Sequence, residues 1–450
     1  MVSRAPIFMV SAIASGQGKT SLTAALARRF RLEGKRVRVF KTGADFIDPM
    51  MLEAAAGSAV GALDLWLLGR EQCRLQLERA AREADLVLIE GVMGLYDGEP
   101  SSADLAHAFD IPILLVLDAS AMAQTFGAVV QGLRDYGNVK LAGVIANRVA
   151  SAGHLAMLKK SLRDVPLLGH LPRQARIFPE RHLGLVLPEE QHDLDTVLDE
   201  LARSLQLDQE VWQHILGESG DAIEIASTSE KQDESYQENH GANDRLLAGK
   251  WIAIARDAAF AFLYPANITC LKSLGADLVY FSPLRDEAVP EFADAVFLPG
   301  GYPELHAETL SKARLWQASM HHAHSRALPI IAECGGMMSL ASQLIDKDGK
   351  AWPMAGLLEG SIHLETRLQA LGMQFLPTAL GDVRGHSFHF SRFDTRLSPA
   401  RYAMKQSVSE TNSEHQGEAV YAMRGLIASY FHAYFPSNPR ATAAMFLGQF

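Results

Sequence analysis

The sequence predicts an α/β protein built from two doubly wound domains, and three observations lead to that prediction. Strand-like and helical segments alternate through the N-terminal half, and the strand-like runs are continuous stretches of Val, Ile and Leu, typical of a parallel sheet buried on both faces. A second alternation of this kind begins at Trp251. Between the two, residues 217–244 are acidic and poor in apolar side chains. We therefore expect a first domain over residues 1–205, an acidic linker over 206–248 and a second domain over 249–445.

Composition and charge argue against several classes of protein. The chain has 450 residues and a formal net charge of −10, which argues against a nucleic-acid partner because such proteins carry a basic face. No apolar run is long enough to span a bilayer, and the N-terminus lacks the layout of a signal peptide. The three cysteines are far apart and have no metal-type spacing. We expect a cytoplasmic protein that binds neither nucleic acid nor membrane.

The first domain begins with a buried strand, a glycine-containing loop and a helix. The strand is predicted at Ile7–Val10 and the helix at Leu22–Arg31. Further strands are predicted at Arg36–Phe40, Asp85–Glu90, Ile111–Leu117 and Leu141–Ile145. In such sheets ligands bind beyond the carboxyl ends of the strands, so the residues that follow each strand are the candidates for chemistry.

The loop after the first strand has the layout of a phosphate-binding loop. Its sequence, SAIASGQGKTS, ends in Gly18-Lys19-Thr20, and backbone N–H groups at a helix N-terminus bind phosphate oxygens. Lys19 can reach the β- and γ-phosphates, and Thr20 can bind Mg²⁺. Ile13 stands where the usual pattern has its first glycine, and the alternative is a glycine-rich turn before a core helix. The residues predicted to bind ATP here are Ser15, Gly16, Gln17, Gly18, Lys19 and Thr20.

Acidic residues follow the second and third strands at the same predicted edge of the sheet. They are Asp45 and Asp48 after the second strand, and Glu90 and Asp97 at the end of the third. Mg²⁺ prefers carboxylate and phosphate oxygens, and Lys41 can offset charge on a transferring phosphoryl group. Isolated acids in such places commonly cap helices or form turns, but four of them beside a phosphate loop favour function.

Asn147 follows the fifth strand. Its amide could contact the adenine edge of ATP, and an Asx-turn is the alternative.

The second domain carries a candidate nucleophile after a buried strand. Its strands are predicted at Trp251–Ala255, Leu278–Phe281, Ala295–Leu298 and Leu328–Ala332. Glu333-Cys334-Gly335-Gly336 follows the last of them, which is the pattern of a nucleophile elbow, and we expect the following helix to lower the pKa of the Cys334 thiol. A lone buried cysteine is more often a small core residue. Here the flanking glycines, and the N–H groups that Gly300 and Gly301 offer to an oxyanion, favour catalysis.

A thiolate needs a general base, and the downstream histidines supply three candidates. His432 stands at the end of a strand-like run, whereas His386 and His389 lie in the motif GHSFHFS. We assign His432 as the base and His389 to substrate contact or scaffold.

Taken together, these motifs resemble the cobyrinic acid a,c-diamide synthase family of cobalamin biosynthesis, and the resemblance covers nearly the whole chain. The N-terminal half is similar to dethiobiotin synthetase, and the C-terminal half to class I glutamine amidotransferases. The motifs that carry the resemblance are FKTGADFIDP (Phe40–Pro49), EGVMGLYDG (Glu90–Gly98), LPGGYPEL (Leu298–Leu305), AECGG (Ala332–Gly336), GHSFHFS (Gly385–Ser391) and SYFHAYFPSNP (Ser429–Pro439).

The resemblance implies a ligase with two sites. Cys334 would release ammonia from L-glutamine with His432 as the base, and ATP with Mg²⁺ would activate acetate carboxylates of a corrinoid as acyl phosphates. Thr20, Asp45 and Glu90 would then hold the metal, and Lys41 and Asn147 would join the ATP site. The residues implied for the corrinoid are Phe46, Ile47, Asp48, Tyr96 and Asp97. Those implied for the oxyanion and for glutamine are Gly300, Gly301, Gly335 and His389.

The sequence also departs from the wider pattern and leaves alternatives open. Class I amidotransferases carry a Glu two residues after the catalytic His, and Tyr434 stands there, which predicts a Cys–His pair rather than a triad. The substrate could be cobyrinic acid, its cobalt-free counterpart hydrogenobyrinic acid, or a nickel sirohydrochlorin. Cobyric acid synthase is a further relative, although EGVMGLYDG fits the diamide branch better. A ParA/MinD-like nucleotide switch is the alternative from another class, but it leaves Cys334 unexplained. We also expect a homodimer.

Overall fold

Strands and helices alternate along the chain, which divides into two units, Met1–Glu230 and Lys231–Phe450. The computed structural model describes residues 5–43, 45–174, 180–181, 184–185, 193–222, 245–406 and 416–450.

The first unit is built from strands joined by helices. Its strands are β1 (Ile7–Ala12), β2 (Val37–Lys41), β3 (Gly61–Ala62), β4 (Leu86–Glu90), β5 (Ile113–Asp118), β6 (Leu141–Val149), β7 (Leu167–Pro172), β8 (Glu180–Arg181), β9 (Gly184–Leu185) and β10 (Gln206–Leu207). Its helices are α1 (Lys19–Leu32), α2 (Ile47–Ala56), α3 (Arg70–Glu83), α4 (Ser102–Ala108), α5 (Thr125–Tyr136), α6 (Ala152–Ser161), α7 (Leu194–Ser204) and α8 (Gln209–Ala222).

The main sheet of this unit brings β1, β2 and β4 together at one edge. Its order is β10-β7-β6-β5-β1-β4-β2-β3, and the pairs are parallel except for β10 with β7. The order reverses at β1, which lies between β4 and β5, and such a reversal opens a cleft at the carboxyl ends. In the register of these strands Glu90 pairs with both Val10 and Lys41. The phosphate loop, Lys41 and Glu90 therefore meet at this cleft.

The first unit continues past residue 205, where the sequence analysis ended its domain. β10 pairs with β7, and Trp212 on α8 is buried against Phe8 and Phe30, with ring centroids 6.1 and 5.6 Å away. The first part of the predicted linker is thus folded. Trp212 and Ile215 give it an apolar face, which the acidic composition of the whole segment did not indicate. Residues 223–244 of that linker lie outside the described residues.

The second unit contains more strands than the sequence analysis predicted. Its strands are β11 (Trp251–Ala255), β12 (Asp277–Phe281), β13 (Ala295–Leu298), β14 (Ile330–Glu333), β15 (Ala341–Ile345), β16 (Ala351–Pro353), β17 (Leu358–Leu364), β18 (Ala370–Leu376), β19 (Val383–His389), β20 (Ser391–Asp394), β21 (Arg401–Lys405), β22 (Gln416–Met423), β23 (Leu426–Ser429) and β24 (His432–Ala433). Its α-helices are α9 (Pro265–Ser273), α10 (Ala307–Lys312), α11 (Arg314–Ser325), α12 (Gly335–Leu340) and α13 (Pro439–Phe446). Short 3₁₀ helices lie at Pro283–Arg285, Pro303–His306 and Phe435–Ser437.

The central sheet of the second unit is parallel on one side and antiparallel on the other. The order is β12-β11-β13-β14-β23-β22-β21-β18-β19-β24, in which the first five strands run parallel and the pairs from β23 to β24 are antiparallel. A second, four-stranded sheet has the order β16-β15-β17-β20. Four of the five parallel strands, all but β23, are those that the doubly wound prediction identified.

Alternate residues of β11 enter different apolar cores. Ala253 and Ala255 belong to one cluster of buried side chains, and Ile252 and Ile254 belong to the other. Since successive side chains of a strand point to opposite faces, this part of the sheet is covered on both sides. Among the described helices, none is long and apolar enough to cross a membrane.

Candidate active sites

The phosphate loop lies between the end of β1 and the start of α1, as the sequence predicts. Gly16 and Gly18 have φ angles of 76° and 92°, in the left-handed region that favours glycine. A Cβ atom on Gly18 would lie only 2.2 Å from the Asn147 amide nitrogen, so glycine is also required for space. Ser15 and Gly16 are exposed, which leaves the middle of the loop open to a ligand.

Lys19 is buried and folds back across its own loop. Its Nζ donates a hydrogen bond to the Ala14 carbonyl at 3.0 Å and another to the Met93 carbonyl, in the loop after β4. Burial, followed by the nearby Lys41 ammonium, lowers the pKa of Lys19 to about 8. At pH values near 8, Lys19 is therefore less fully protonated than an ordinary lysine.

Asn147, which the sequence analysis assigned to ATP, contacts the phosphate loop through its side-chain amide. Its Nδ2 donates to the Gln17 carbonyl at 2.9 Å, and its Oδ1 accepts from the Arg148 backbone N–H at 2.9 Å. Gln17 in turn accepts a hydrogen bond from the Asp118 backbone N–H through Oε1, at 3.0 Å. The Nδ2 end of the amide thus joins β6 to the loop, whereas Oδ1 contacts the backbone of β6 itself, and a contact with adenine stays a prediction.

A buried cluster of charges forms at the carboxyl ends of β2 and β4. Lys41 Nζ lies 2.6 Å from Glu90 Oε1 and 2.8 Å from Asp48 Oδ2. The Thr20 hydroxyl donates to Glu90 Oε1, at 2.9 Å, and lies 3.2 Å from Asp48 Oδ2. The structure thus brings four of the predicted site residues together at the start of α1. Glu90 is fully buried, and its Oε2 has no hydrogen-bond partner within the described part of the chain.

Mutual pairing keeps this cluster charged. Burial disfavours a charged amine, but Asp48 and Glu90 outweigh it and raise the pKa of Lys41 above its usual range. Burial likewise works against the Asp48 carboxylate, and the Lys41 ammonium outweighs it and lowers the pKa of Asp48. The resting site therefore holds a lysine cation between carboxylates.

The two carboxylate oxygens of Asp45 have different neighbours: one caps a helix, and the other faces the charged cluster. Its Oδ1 accepts hydrogen bonds from the backbone N–H groups of Ile47 and Asp48, at 2.9 and 3.1 Å, so it caps the start of α2. Its Oδ2 lies 3.9 Å from Lys41 Nζ. Burial and the neighbouring Asp48 raise the pKa of Asp45 to about 7.

The side chains of Tyr96 and Asp97, which were assigned to a substrate site, make hydrogen bonds within the protein, and their contact with a substrate stays a prediction. The Tyr96 hydroxyl donates to the Leu133 carbonyl and accepts from the Gly137 N–H at 3.2 Å, which ties the loop to α5. Asp97 Oδ2 accepts from the Gly94 N–H at 2.9 Å, within the same loop. Both polar groups are used in shaping the segment that follows β4.

Of the two apolar residues predicted to shape the substrate site, Ile47 is buried at the start of α2, whereas Phe46 is half-buried.

Two positioning residues of this site escaped the sequence analysis. Buried Asp64 accepts a hydrogen bond from the Gly43 N–H through Oδ2, at 3.1 Å, and so fixes the loop after β2. The Thr42 hydroxyl accepts from the Val92 N–H at 2.9 Å and joins the loops after β2 and β4. An acid just past the short strand β3 was the only signal for Asp64 in the sequence. The described residues contain no group of three or more His, Cys, Asp or Glu side chains arranged as metal ligands.

In the second unit, Cys334 occupies the strained turn that the elbow pattern predicts. It lies between β14 and α12 with φ 44° and ψ −106°, a conformation that non-glycine residues rarely adopt. Its backbone N–H donates to the Ser429 carbonyl at 2.7 Å, so the turn is anchored to the end of β23.

The expected lowering of the Cys334 pKa is wrong for the resting protein. Burial, followed by the nearby Glu304 carboxyl, raises the pKa of the thiol well above its ordinary value. The helix that follows, α12, has only six residues, and its N-terminus does not compensate for the loss of water.

The glycines predicted for the oxyanion site lie against the catalytic candidates. A Cβ atom on Gly300 would lie 2.3 Å from Cε1 of His432, and one on Gly335 would lie 2.8 Å from the Gly301 nitrogen. The turn after Cys334, the Gly300–Gly301 loop and the His432 ring therefore approach one another closely. Backbone N–H groups in such a place can bind a developing oxyanion.

His432 is buried between aromatic and acidic neighbours. Its ring stacks on that of His386, with centroids 4.9 Å apart, and its Nδ1 lies 3.9 Å from Glu333 Oε2. Burial, with a smaller contribution from His386, lowers the pKa of His432 well below its usual value. His386, the competing candidate, is also neutral because burial lowers its pKa to about 3. The sequence analysis did not identify Glu333, whose only signal is its place before the nucleophile.

His389 lines a cavity of about 210 Å³. Its Nδ1 faces the Ser391 carbonyl at 2.7 Å, and its Nε2 lies 3.1 Å from Glu418 Oε1. Its ring stacks on Tyr430 with centroids 3.8 Å apart. Because the Ser391 carbonyl only accepts, Nδ1 of His389 is the donor in that contact. Arg392 also lines the cavity.

Two domain families match this chain, one in each half. Residues 8–186 match the CobQ/CobB/MinD/ParA nucleotide binding domain, and residues 251–440 match the CobB/CobQ-like glutamine amidotransferase domain. The first match contains the phosphate loop and the charged cluster, and the second contains Cys334 and His432. A nucleotide switch alone does not account for the second domain.

Curated relatives match nearly the full length of the chain. It is 54% identical to the cobyrinate a,c-diamide synthase of Herminiimonas arsenicoxydans over 98% of this chain and 97% of the relative. It is 46% identical to the hydrogenobyrinate a,c-diamide synthase of Stutzerimonas stutzeri over 99% of each. A cobyrinate a,c-diamide synthase of Listeria innocua is 35% identical over 97% of this chain and 98% of the relative.

Proposed function

The chain belongs to the family of cobyrinate and hydrogenobyrinate a,c-diamide synthases, and on that premise we propose how its two sites divide one reaction. The protein is a ligase that amidates the a and c acetate carboxylates of cobyrinic or hydrogenobyrinic acid in cobalamin biosynthesis, with ATP and glutamine as co-substrates. One observation carries the proposal: a single chain holds a phosphate loop beside a charged cluster, and a cysteine elbow beside a buried histidine.

The second unit releases ammonia. Cys334 transfers its thiol proton to His432, and the sulfur attacks the carboxamide carbon of glutamine. The N–H groups of Gly301 and Gly335 stabilise the oxyanion, and Gly300 leaves room for the imidazole. The proton on His432 passes to the leaving nitrogen, so ammonia departs from a glutamyl thioester, which water then hydrolyses.

The first unit activates the carboxylate. An acetate oxygen of the corrinoid attacks the γ-phosphorus of ATP, ADP leaves, and ammonia displaces phosphate from the resulting acyl phosphate. ATP is needed because a carboxylate and ammonia do not condense in water. Lys19 and Lys41 are placed to offset charge on the transferring phosphoryl group, and we assign Ser15, Gly16, Gln17 and Gly18 to its phosphates through the backbone.

The residues at the start of α1 fit a magnesium ion. The Thr20 hydroxyl and the Glu90 carboxylate are hard oxygen donors 2.9 Å apart, and the second Glu90 oxygen has no hydrogen-bond partner among the described residues. We propose that Thr20 and Glu90 would hold Mg²⁺, with Asp45 as the third oxygen ligand. When bound, the ion would neutralise charge on the phosphate oxygens of ATP. In the structure, Lys41 is the cation that contacts the Glu90 carboxylate.

We assign the corrinoid to the loop after β2 and the glutamine to the cavity beside Tyr430. Half-buried Phe46 offers an apolar face to the macrocycle, buried Ile47 supports it, and Asp48 lies at the edge of the charged cluster. In the cavity, Glu418 is suited to the α-ammonium of glutamine and Arg392 to its α-carboxylate. His389 contributes by holding the Glu418 carboxylate.

The remaining assignments stay predictions. We propose a synthetase domain that extends from residue 1 through α8, an amidotransferase domain over 249–445, a cytoplasmic location and a homodimer. Sedimentation of the full chain tests the last of these.

The deciding experiment is mass spectrometry of the product. Purified protein with ATP, Mg²⁺ and glutamine is offered cobyrinic acid and hydrogenobyrinic acid in parallel. We expect two successive replacements of a hydroxyl by an amino group, on the acid that is the substrate. An unchanged mass for both acids would contradict the proposed function, and a nickel sirohydrochlorin is then the next substrate to offer.

A further inference from the structure

The carboxylate nearest to His432 comes from the residue that precedes the nucleophile. Glu333 ends β14 and is 5% exposed, so its side chain is inside the protein. Its Oε1 accepts a hydrogen bond from the Ala433 N–H at 3.0 Å, and its Oε2 lies 3.9 Å from Nδ1 of His432. One carboxylate thus contacts the residue after the base and approaches the base itself.

The surrounding strands fix this arrangement. Glu333 pairs in register with Ser429 of β23, and the Cys334 N–H donates to the Ser429 carbonyl at 2.7 Å. On the other side, His432 pairs with His386 of β19. The acid, the nucleophile and the base are therefore held by backbone hydrogen bonds, with 3.9 Å between Glu333 Oε2 and His432 Nδ1.

The position that carries the acid in ordinary class I amidotransferases does not supply one here. Tyr434 stands two residues after His432, is buried, and packs edge-on against Tyr264, with centroids 5.5 Å apart. A phenol is uncharged at neutral pH and cannot stabilise an imidazolium as a carboxylate does. The other titratable groups around His432 are the stacked His386 and the more distant His389.

We propose that Glu333 is the positioning residue of the glutaminase site and takes the place of the missing acid of the triad. Its carboxylate accepts the Nδ1 proton of His432, which leaves Nε2 unprotonated to take the thiol proton of Cys334. The S–H bond breaks as the S–C bond to glutamine forms, and the imidazolium that results is stabilised by the carboxylate. The proton then passes from Nε2 to the departing ammonia. This inference rests on the proposed glutaminase function.

Burial of Glu333 predicts that glutaminase activity depends on pH. It raises the pKa of the Glu333 carboxyl to about 8 in the resting protein. A protonated Glu333 would donate to Nδ1 and place the remaining imidazole proton on Nε2, which is the wrong tautomer for a base. Glutaminase activity should therefore rise with pH as Glu333 ionises.

Glu333→Gln tests the inference, because glutamine keeps an oxygen for the Ala433 N–H and removes the charge. We expect the glutaminase kcat to fall by about 10²-fold with little change in the KM for glutamine, and the rise with pH to disappear. Glu333→Asp should recover part of the kcat. Amidation driven by ammonium salts should stay within about twofold of wild type, since it bypasses this site.

Glu418→Gln is the matched control. It also removes a buried carboxylate near Cys334, but one that contacts His389, and it should raise the KM for glutamine and keep the pH profile. A wild-type kcat and pH profile in Glu333→Gln would overturn the inference, as would an equal loss of ammonium-driven activity. Wild-type protein that amidates with ammonium but never with glutamine would overturn the proposed function instead.

Discussion

The two sites differ in the charge state of their buried ionisable groups. In the first unit, Lys41 is held between Glu90 and Asp48, and mutual pairing keeps Lys41 and Asp48 charged although they are buried. In the second unit, Cys334 and His432 are buried, and burial raises the pKa of the thiol and lowers that of the imidazole, which keeps both neutral. Both regions are desolvated, but opposite charges outweigh burial only in the first.

The difference follows from what each site has to stabilise. Phosphoryl transfer begins with a highly charged substrate, so its site needs fixed charges before ATP arrives. Thiol attack on an amide begins with neutral groups and creates charge during the reaction. A neutral resting pair protects the thiol from unproductive ionisation, and the oxyanion glycines and Glu333 stabilise charge only as it forms.

The largest expected effect is a variant that loses the activity of the second site and keeps that of the first. Cys334→Ser should lower glutamine-dependent amidation by about 10⁴-fold or more, because the nucleophile of the second site is lost, and leave ammonium-dependent amidation intact. The measurement is product formation with each nitrogen donor. Cys270→Ser, which removes another buried thiol of the same unit, is the control and should match wild type with both donors. Loss of both activities in Cys334→Ser would contradict the division of labour.

Glu90→Gln should fail with both nitrogen donors. It removes a carboxylate from Lys41 and from the proposed metal site, and we expect a loss of about 10²- to 10³-fold in amidation. Breaking a buried ion pair also costs about 3–5 kcal/mol of stability, so thermal unfolding is recorded alongside. Glutaminase activity should survive, and Glu99→Gln, an exposed acid near the same loop, should behave as wild type. Normal amidation would remove Glu90 from the site.

The lowered pKa of Lys19 predicts a pH dependence of ATP binding. The charged form binds phosphate and the free protein loses that charge above pH 8, so affinity should fall by at most about tenfold per pH unit above that value. Titration of the protein with ATP between pH 7 and about 10 measures this. Lys19→Arg keeps its charge and should bind with a flat profile. Equal ATP affinity across the range in wild type would contradict the assignment.

The local motifs of both sites could be predicted from the sequence. The phosphate loop and the cysteine elbow are each a strand, a glycine-rich turn and a helix in consecutive residues, so backbone geometry follows from local composition. The parallel pairing of the strands beside β1 was predicted from the same alternation. These are the parts of the account in which sequence and structure agree.

The contacts that could not be predicted depend on residues far apart in sequence. Asn147 contacts Gln17 and the Tyr96 hydroxyl contacts α5 because of strand order and helix packing, which no local pattern encodes. The approach of Glu333 to His432 requires the pairing of β14 with β23. The raised pKa of Cys334 depends on burial, which outweighs the short helix that the motif suggested.

The smallest expected effect concerns the hydroxyl of Tyr96, whose assignment to the substrate site stays a prediction. Tyr96→Phe removes the hydroxyl that joins the loop to α5, and it should cost about 1 kcal/mol of unfolding free energy. Turnover and the KM for the corrinoid should change by less than about twofold, because the hydroxyl is engaged in the scaffold. Chemical denaturation and steady-state kinetics give the two values. A large rise in that KM would return Tyr96 to the substrate site.

The contrast between a charged and a neutral resting site is tested most directly by the ionisation of Cys334. The measurement is the rate of Cys334 alkylation by iodoacetamide against pH, followed by mass spectrometry of the labelled peptide in the protein without glutamine. The account predicts that alkylation stays slow and increases only above about pH 8.5, the ordinary value for a thiol. Rapid alkylation with a midpoint near neutral pH would show a resting thiolate–imidazolium pair and contradict the account.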